Sequence, residues 1–498
     1  MATTPKLKIA GSVFYDEAHL ESYSTDLSHY SIRPKMMAIP AGEDDVQELV
    51  AFSKKESIPI TPRGAGSNQS GSAVGSGILL LSSAMKSVIS RNGRKVKVGP
   101  GIIYDSLDKS MRSEGLRLPY DPSSRMFCTI GGNVATGASG IRSLKYGTVN
   151  AALRSLRFID MTHGMVDTAE ELPEELEAEI VRLRSLLRSD GHVRSALERR
   201  AGMKSSSGYN IGAFYKYDDP RETVAHLLVG SVGTLAIFTA VEMEAVDAPA
   251  EKALYLLFYP SLVEAAAAVP SLKSTGPSSL ELMDESALHV FREEHAMEFP
   301  AESKAVLMVE FDAELDKADA LIAQHLQGTI GHVAELNPGR QAALWSVRES
   351  MLLRIIHRMQ TPAERFPSFA DDLGVPVEQL AGFVADLQKI LERENTPAVI
   401  FGHAGEGNLH VRPMVKLEGW QGSLRRLSDE IFRSTLSHGG TISAEHGMGR
   451  NRSMYLRDEW GDRIFEYFRE IKRIFDPTDL LNPGVVFTSD DITDHLKL

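Results

Sequence analysis

Two short stretches near the C-terminal end carry residue types that bind metal ions. Side chains alternate along a strand, so Asn408, His410 and Arg412 are predicted to share one strand face. His403 is predicted to reach the same region through the glycine turn that precedes this strand. Imidazole suits Zn²⁺, Mn²⁺ or Fe²⁺, and Glu445 is the candidate third ligand. Three protein ligands with an open fourth position would form a catalytic metal site.

Two glycine-rich loops in the first third of the chain suggest a bound phosphate group. The first covers residues 63–71 and the second covers residues 130–147. The first has neither the Gly-Lys-Ser/Thr ending of a nucleoside-triphosphate loop nor the G-x-G-x-x-G pattern of a Rossmann site. Backbone N–H groups exposed by glycine can converge on phosphate oxygens, so we predict a pyrophosphate held between the loops.

Residues 36–160 are predicted to alternate between short strands and helices, and the composition changes near residue 246. The glycine density of 130–147 is unfavourable for a helix or a strand interior. From about 246 to 395, glycines are fewer and amphipathic helices alternate with strands such as 307–311. Further predicted strands cover 37–40, 58–61, 78–81 and 95–98, and predicted helices cover 44–56, 104–114, 172–187 and 464–475.

Length, charge and cysteine content exclude several classes of protein. A chain of 498 residues exceeds one domain of about 100–200 residues, and 43% hydrophobic with 24% charged residues is a globular composition. The net charge of −13, without a long basic block, argues against a nucleic-acid partner. The only cysteine, Cys128, excludes an intramolecular disulfide and a cysteine-rich metal cluster. No signal-peptide core or apolar run of about 20 residues is present, so we expect a cytoplasmic protein, with peripheral membrane contact left open.

The glycine loops resemble the FAD-binding segments of FAD-linked oxidases of the vanillyl-alcohol oxidase type, which have a PCMH-type FAD domain. Residues 61–67 resemble the first pyrophosphate loop, and 121–147 resemble the second FAD segment. Residues 208–210 and 230–235 resemble two later FAD-domain signatures. The whole resemblance runs from about residue 23 to 487. The FAD-binding residues that it implies are Pro62, Arg63, Gly64, Ala65, Gly66, Ser67, Asn68, Gly71, Pro122, Ser123, Thr129, Ile130, Gly131, Gly132, Asn133, Gly140, Tyr146, Gly147 and Asn482.

We expect the FAD to be non-covalent, because neither loop contains a histidine that could link to the flavin. Cys128 stands where relatives usually carry alanine, and we interpret it as a small buried residue. Val232 stands where the family usually has glutamate, which predicts the loss of a polar contact.

The C-terminal motifs resemble those of the FAD-linked D-2-hydroxyacid dehydrogenases, which include D-lactate, glycolate and D-2-hydroxyglutarate enzymes. The resemblance implies that His403, His410 and Glu445 bind a divalent metal, first of all zinc, with manganese or iron as alternatives. It makes His446 the general base and Arg348 the arginine that binds the substrate carboxylate. The metal and base would act on the hydroxyl of a small 2-hydroxy acid, and hydride transfer to flavin N5 would give the 2-keto acid.

Three positions differ from the D-2-hydroxyglutarate-type members. Leu352 and Ala370 stand where those members have threonine and lysine, and Arg412 stands where they have asparagine. We place Arg412 and Asn408 with the substrate, and the lost contacts argue against 2-hydroxyglutarate. Asp372 matches a family segment, and we assign it no chemistry.

The predicted fold class is α+β, with a two-subdomain FAD domain and a cap that has an antiparallel sheet. The predicted domains are an FAD-binding domain at 1–245, a substrate or cap domain at 246–430, and a C-terminal helical segment at 431–498 that returns to the FAD domain. Two alternatives stay open: a metallohydrolase with a nucleotide-binding domain, and a flavoprotein subunit partnered by an iron–sulfur protein. Expected partners are an electron acceptor (a quinone, a cytochrome, an electron-transfer flavoprotein or an iron–sulfur protein) and, as an option, a second copy of the chain.

Overall fold

The computed structural model describes residues 7–295 and 299–498, which form an α+β protein. In chain order the strands are β1 (Ser12–Phe14), β2 (Met36–Ile39), β3 (Ile60–Arg63), β4 (Ile78–Leu81), β5 (Val88–Asn92), β6 (Lys95–Val98), β7 (Leu116–Arg117), β8 (Leu153–Ile159), β9 (Met165–Asp167), β10 (Ile237–Glu244), β11 (Val246–Asp247), β12 (Ala253–Tyr259), β13 (Ser279–Asp284), β14 (Ala305–Phe311), β15 (Gly331–Glu335), β16 (Glu364–Arg365), β17 (Asp371–Gly374), β18 (Ala398–Gly402), β19 (Asn408–Pro413) and β20 (Val415–Lys416).

The α-helices are α1 (Glu17–Ser22), α2 (Glu43–Glu56), α3 (Tyr104–Arg112), α4 (Ile130–Thr136), α5 (Ser143–Tyr146), α6 (Val149–Ala152), α7 (Glu174–Ser189), α8 (Gly191–Arg199), α9 (Ala213–Lys216), α10 (Pro220–Leu227), α11 (Leu262–Lys273), α12 (Glu285–His295), α13 (Leu315–Ala323), α14 (Pro338–Met359), α15 (Leu380–Arg393), α16 (Trp420–Ser437) and α17 (Leu456–Phe475). Short 3₁₀ turns lie at Ser82–Ala84, Val377–Gln379, Ala404–Glu406 and Ser453–Tyr455. Among the described residues, no helix is both long and apolar enough to cross a membrane.

Two separate sheets make up the N-terminal half. The first has the order β1-β2-β4-β3, in which β4 pairs in parallel with both β2 and β3. The second has the order β5-β6-β10-β8-β9 and is antiparallel throughout. The first glycine loop follows β3 directly, and the second lies between β7 and β8 in the sequence.

A seven-stranded antiparallel sheet, ordered β15-β12-β14-β13-β18-β19-β17, forms the larger part of the C-terminal half. Strands β12, β13 and β14 are buried along their whole length, because hydrophobic clusters that include residues of α11 and α14 cover the two faces. Strands β18 and β19 are neighbours within the sheet and pair antiparallel. The turn that joins them carries the first predicted metal-binding motif. Helix α16 continues through residue 430, where the sequence had placed a domain boundary.

Helix α17 packs against the N-terminal half. Its buried residues Phe468, Ile471 and Phe475 belong to the same hydrophobic cluster as Phe158 and Tyr209. The rings of Tyr209 and Phe468 meet edge to face with centroids 5.8 Å apart. The end of the chain therefore adds to the core that supports the two glycine loops.

The sequence predictions of strands 78–81 and 95–98 are confirmed, but the prediction for the second glycine run is wrong over 130–136. These residues form α4, whose N-cap Thr129 accepts a hydrogen bond from the N–H of Gly132. The helix ends at Gly137, which adopts a left-handed conformation with φ of 72°. A capped start and a glycine stop outweigh the low helix propensity of the two internal glycines.

A buried ion pair joins the two halves of the chain. Arg142, next to α5, donates to Asp121 at 2.6 Å and, through two nitrogens, to Glu310 of β14 at 2.6 and 2.7 Å. The Glu310 carboxylate also accepts from the Trp345 indole at 2.8 Å. Burial opposes the charge of Arg142, but Glu310 and Asp121 outweigh it and raise the pKa of the guanidinium.

Removing Arg142 leaves Asp121 and Glu310 as buried carboxylates without their partner. Arg142→Met is therefore expected to lower the free energy of unfolding by about 3–5 kcal/mol. Differential scanning calorimetry would register this as a lower thermal midpoint. The matched control, Arg221→Met, removes an exposed arginine paired with Asp219 and should leave the midpoint nearly unchanged. Equal midpoints for the two variants would contradict a stabilising role for the buried pair.

Candidate active site

One cavity connects both glycine loops with the C-terminal motifs. Its wall includes residues 62–69 of the first loop and parts of 122–140 from the second. Val232 and the start of β10 also line the cavity, as do His403, Glu445 and His446. The cavity therefore brings the predicted cofactor loops and the predicted catalytic histidines to one place.

The two glycine loops approach each other closely across this cavity. A Cβ atom added at Gly64 would lie 2.3 Å from the Thr129 hydroxyl oxygen, so only glycine fits there. Asn482 ties the surrounding chain together, because its amide donates to the backbone oxygens of Ser72 and Val232, each at 2.8 Å. This narrow, backbone-lined space fits a pyrophosphate between two loops, as FAD would require.

Most of the predicted FAD residues line the cavity, and a few support it from behind. Ile130 lies in the hydrophobic core, and the Tyr146 hydroxyl donates to Asp312 at 2.7 Å. The Arg63 side chain turns away from the cavity to donate to backbone oxygens, including that of Thr25 at 2.8 Å. Of the predicted set, the lining residues are Pro62, Arg63, Gly64, Ala65, Gly66, Ser67, Asn68, Pro122, Ser123, Thr129, Gly131, Gly132, Asn133 and Gly140, whereas Gly71, Ile130, Tyr146, Gly147 and Asn482 lie outside the lining.

Three imidazoles converge on one carboxylate oxygen. Glu445 Oε1 lies 3.0 Å from Nε2 of His403, 3.4 Å from Nε2 of His410 and 4.0 Å from Nε2 of His446. The rings of His410 and His446 stack with centroids 5.1 Å apart. The structure thus brings the three predicted metal ligands and the predicted base together, although they come from separate loops and strands.

Buried carboxylates hold the other side of these imidazoles. Glu281 of β13 lies 2.6 Å from Nδ1 of His403 and accepts from Nε of Arg348 at 2.9 Å. Burial opposes ionisation of Glu281, but His403 and Arg348 outweigh it and lower its pKa to about 2. Nε and Nη2 of the predicted substrate arginine therefore face Glu281, behind His403, in this structure.

The Asp371 carboxylate lies behind His410 in the same way that Glu281 lies behind His403. Its carboxylate lies 3.3 Å from Nδ1 of His410, 3.5 Å from Nδ1 of His446 and 2.6 Å from Nη2 of Arg412. Arg412 also donates to the side chain of Gln69, which lines the cavity. The predicted substrate residue Arg412 therefore reaches the cavity wall through Gln69.

A buried lysine and a serine hold the second oxygen of Glu445. Nζ of Lys204 lies 3.1 Å from Glu445 Oε2 and 2.9 Å from Glu406 Oε2. The hydroxyl of Ser139, in the second glycine loop, donates to the same Oε2 atom of Glu445. Burial lowers the pKa of Lys204, but Glu406 and Glu445 outweigh it and raise the pKa above its usual range. Glu445 is left with Oε1 directed at the histidines.

Asp372 fixes the backbone of the loop that carries Glu445 and His446. Its carboxylate accepts from the N–H of Glu445 at 2.9 Å and from the N–H of His446 at 2.7 Å. It also accepts from Arg452 at 3.2 Å and from the amide of Asn408 at 3.1 Å. With these donors its oxygens are occupied, so Asp372 positions the loop and is a poor metal ligand, although one of its oxygens lies within 4.8 Å of ligand atoms of His410, Glu445 and His446.

The predicted substrate residue Asn408 is directed toward Asp372 and the backbone of Leu373. It is fully buried and is absent from the cavity lining. Asp372 itself adopts φ of 86°, a region that side chains other than glycine rarely occupy. This strain is maintained by the hydrogen bonds to the loop and is consistent with a functional site.

The residues present fit a divalent cation. Within the described cluster, four carboxylates (Glu281, Asp371, Glu406 and Glu445) face three cationic side chains (Lys204, Arg348 and Arg412). Burial lowers the pKa of His410, but Asp371 and Glu445 outweigh it and raise that pKa to about 9. The same excess of negative charge favours a metal ion, and two Nε2 atoms with one carboxylate oxygen form a common zinc-binding donor set.

His446 differs from the other two histidines. Burial lowers its pKa, and the nearby Asp372 and Asp371 only partly offset this effect. Its Nδ1 atom is buried and has no hydrogen-bond partner among the residues that the structure describes. A neutral imidazole that lines the cavity has the form a proton acceptor needs.

Sequence analysis missed several residues that surround the predicted ligands. Gln69 and Ser139 lie in the two glycine loops but had no assigned role, and Glu281 had a local signal as a charged residue between Leu280 and Leu282. Asp371 precedes the noted Asp372, and Lys204 lies just before the Gly208 signature, but neither position by itself indicates a partner. The residues missed are Ser139, Lys204, Glu281, Asp371, Glu406 and Gln69.

Comparison with known proteins places the chain among flavoproteins. The FAD binding domain model matches residues 34–169, and the C-terminal domain model of FAD linked oxidases matches residues 248–486. These matches favour a flavin over the other nucleotides that the hydrolase alternative would bind.

Curated relatives match along nearly the whole chain. Glycolate oxidase subunit GlcD of Bacillus subtilis is 26% identical, and the match covers 97% of this chain and 96% of that one. D-lactate dehydrogenase of Archaeoglobus fulgidus is 28% identical, with 90% of each chain covered. D-2-hydroxyglutarate dehydrogenase of Escherichia coli is 26% identical over 93% of this chain, which spans 49% of that protein.

Solved structures with lower identity share the fold. The 4-ethylphenol oxidase from Gulosibacter chungangensis superposes with a TM-score of 0.68 at 14% identity, covering 96% of this chain and 94% of that one. An alkyldihydroxyacetonephosphate synthase superposes with a TM-score of 0.65 at 18% identity, covering 95% and 82%. The predicted architecture, a PCMH-type FAD domain with an α+β cap, is confirmed by this likeness. The two domain matches show that the chain has an FAD binding domain followed by the C-terminal domain of FAD linked oxidases.

Proposed function

We propose that this protein oxidises a D-2-hydroxy acid to the 2-keto acid, using non-covalent FAD and a divalent cation. One observation carries the proposal: the cavity between the glycine loops also contains His403, Glu445 and His446 in its wall. A hydroxy acid held at these residues would lie beside a flavin held by the loops. The names of the relatives, which include D-lactate and D-2-hydroxyglutarate dehydrogenases, support this class of substrate.

The proposed roles follow from the geometry. FAD supplies the hydride acceptor at N5, and the cation supplies positive charge for the substrate hydroxyl and carboxylate oxygens. His403, His410 and Glu445 would hold the cation, with zinc as the first choice. His446 would accept the hydroxyl proton on Nε2, which lies 4.0 Å from Glu445 Oε1. Ligand and base are adjacent in sequence, and Asp372 fixes both backbone N–H groups.

Three residues are proposed to act on the rest of the substrate. Arg348 supports His403 through Glu281, and its remaining Nη1 group is proposed to meet the substrate carboxylate. Arg412 contacts Gln69 of the cavity wall and is proposed to limit which side chains of the hydroxy acid fit. Asn408 is proposed to act through Asp372, because its amide is directed there.

The domain division is proposed to match these roles. Residues 1–245 would bind FAD, residues 246–430 would form the substrate cap, and residues 431–498 would return to the FAD domain, as the shared core of α17 supports. The electron acceptor is proposed to be a quinone, a cytochrome or another redox protein. A second candidate is a flavoprotein subunit of a larger oxidase, because the Bacillus subtilis relative is named as a subunit.

Removing the cation should stop flavin reduction without abolishing FAD binding, because the glycine loops supply most of the cavity lining and, of the proposed ligands, only His403 and Glu445 are part of it. His403→Ala and Glu445→Gln are expected to lower the bound metal measured by inductively coupled plasma mass spectrometry. Flavin absorbance would show that FAD is retained, and reduction by D-lactate or glycolate would report activity.

The matched control for these variants is His332→Ala, which changes an exposed histidine on the edge strand β15. It should retain both metal and activity. Full flavin reduction in a metal-free His403→Ala or Glu445→Gln protein would contradict the proposed metal site.

His446→Ala should slow flavin reduction by about 10²–10⁴-fold, the usual value of a positioned proton acceptor. Metal content should stay unchanged, because His446 is proposed as the base rather than a ligand. Stopped-flow absorbance measures the rate of flavin reduction. If added metal restores that rate, His446 supports the cation site instead of acting as the base. Replacing such a supporting residue typically lowers metal affinity by about 10–100-fold.

A further inference from the structure

The two carboxylate oxygens of Glu445 contact different parts of the molecule. Oε1 faces the Nε2 atoms of His403 and His410 at 3.0 and 3.4 Å. Oε2 is held by Lys204 at 3.1 Å and by the hydroxyl of Ser139. Both of these donors precede the boundary near residue 246, so Oε2 of Glu445 is held by the FAD-binding half of the chain.

Ser139 contacts the flavin cavity as well as Glu445. Ala138, Ser139 and Gly140 all line the cavity, in the loop that follows α4. Ser139 is buried, with 3% of its surface exposed, so its hydroxyl has little access to water as an alternative partner. Any cofactor that orders this loop therefore orders a hydrogen-bond donor to Glu445.

A second contact reinforces the first. Lys204 bridges Glu445 and Glu406, and the Ser143 hydroxyl donates to Glu406. Residues 139, 143 and 204 thus meet two carboxylates from the C-terminal half at neighbouring points. Glu406 belongs to the turn that follows His403, so this contact also bears on the position of the first histidine.

We propose that FAD binding and cation binding are thermodynamically coupled through the hydrogen bond from Ser139 to Glu445. This inference rests on the proposed function, since it assigns a cation to His403, His410 and Glu445. FAD that orders the loop removes part of the cost of fixing Glu445, so the cation binds more tightly. Coupling of this kind is reciprocal: the cation must raise the affinity for FAD by the same factor, typically about 5–150-fold.

The test compares FAD release from the purified holoprotein in two states. One sample is treated with a chelator, and the other is loaded with one equivalent of Zn²⁺. Equilibrium dialysis gives the Kd for FAD, and the fluorescence of released FAD gives the rate. Zn²⁺ should lower the Kd of the wild-type protein by about 5–150-fold. Titration of the wild-type protein with zinc, with and without FAD, should show the same fold-change in zinc affinity. This measurement needs no variant, so the test stays valid if a variant does not fold.

Ser139→Ala should bind both ligands but lose the coupling, so that the Kd for FAD becomes the same with and without Zn²⁺. The matched control is Ser67→Ala, in the first glycine loop, which lines the same cavity. It is expected to change FAD affinity equally in both states and to keep the ratio.

Three results would overturn the inference. Equal FAD affinity in zinc-loaded and zinc-free wild-type protein would do so while leaving the proposed function intact. A Ser139→Ala protein with the wild-type ratio would show that another contact carries the coupling. Failure of the wild-type holoprotein to bind Zn²⁺ or Mn²⁺ would overturn the inference together with the cation part of the proposed function.

Discussion

The buried carboxylate of Glu445 is the group on which the rest of the site depends. Burying a charged carboxylate is unfavourable unless each oxygen has a partner. Lys204 and Ser139 satisfy Oε2, which leaves Oε1 for the imidazoles of His403 and His410. The two oxygens thus connect the flavin cavity with the proposed cation site, and neither half of the chain forms this arrangement alone.

The loop that carries Glu445 depends in turn on Asp372. This residue follows Asp371 on β17, and its strained backbone directs a carboxylate at the N–H groups of Glu445 and His446. Asp371, one position earlier, meets His410 and Arg412 of β19. Two consecutive acidic residues therefore position the ligand loop and the ligand strand, and substitution of either would disturb several imidazoles at once. Asp371 pairs with His410 in the ladder of β17 and β19, and the register shift that follows it falls at Asp372.

Local patterns in the sequence predicted the strands and the motif-bearing loops, because those depend on near neighbours. Strands β4 and β6 lie where the apolar runs placed them. Helix α4 was missed because its Thr129 cap and its Gly137 stop outweigh internal glycine. The groups that support the ligands could not be predicted from the sequence for another reason. Lys204 and Glu445 are 241 residues apart, and nothing local to either one indicates the other. Similarly, nothing local to Arg348 indicated its contact with Glu281, which lies 67 residues away in the sequence.

We propose that the flavin cavity and the histidine cluster form a single site for a D-2-hydroxy acid. The most direct measurement adds paired D- and L-2-hydroxy acids, together with glycolate, to the oxidised protein without oxygen and follows the visible flavin absorbance. We expect at least one D-acid to bleach the flavin rapidly, its L-enantiomer to leave the flavin oxidised, and a chelator to prevent the bleaching. Flavin that stays oxidised with every hydroxy acid, yet is reduced by dithionite, would contradict the account.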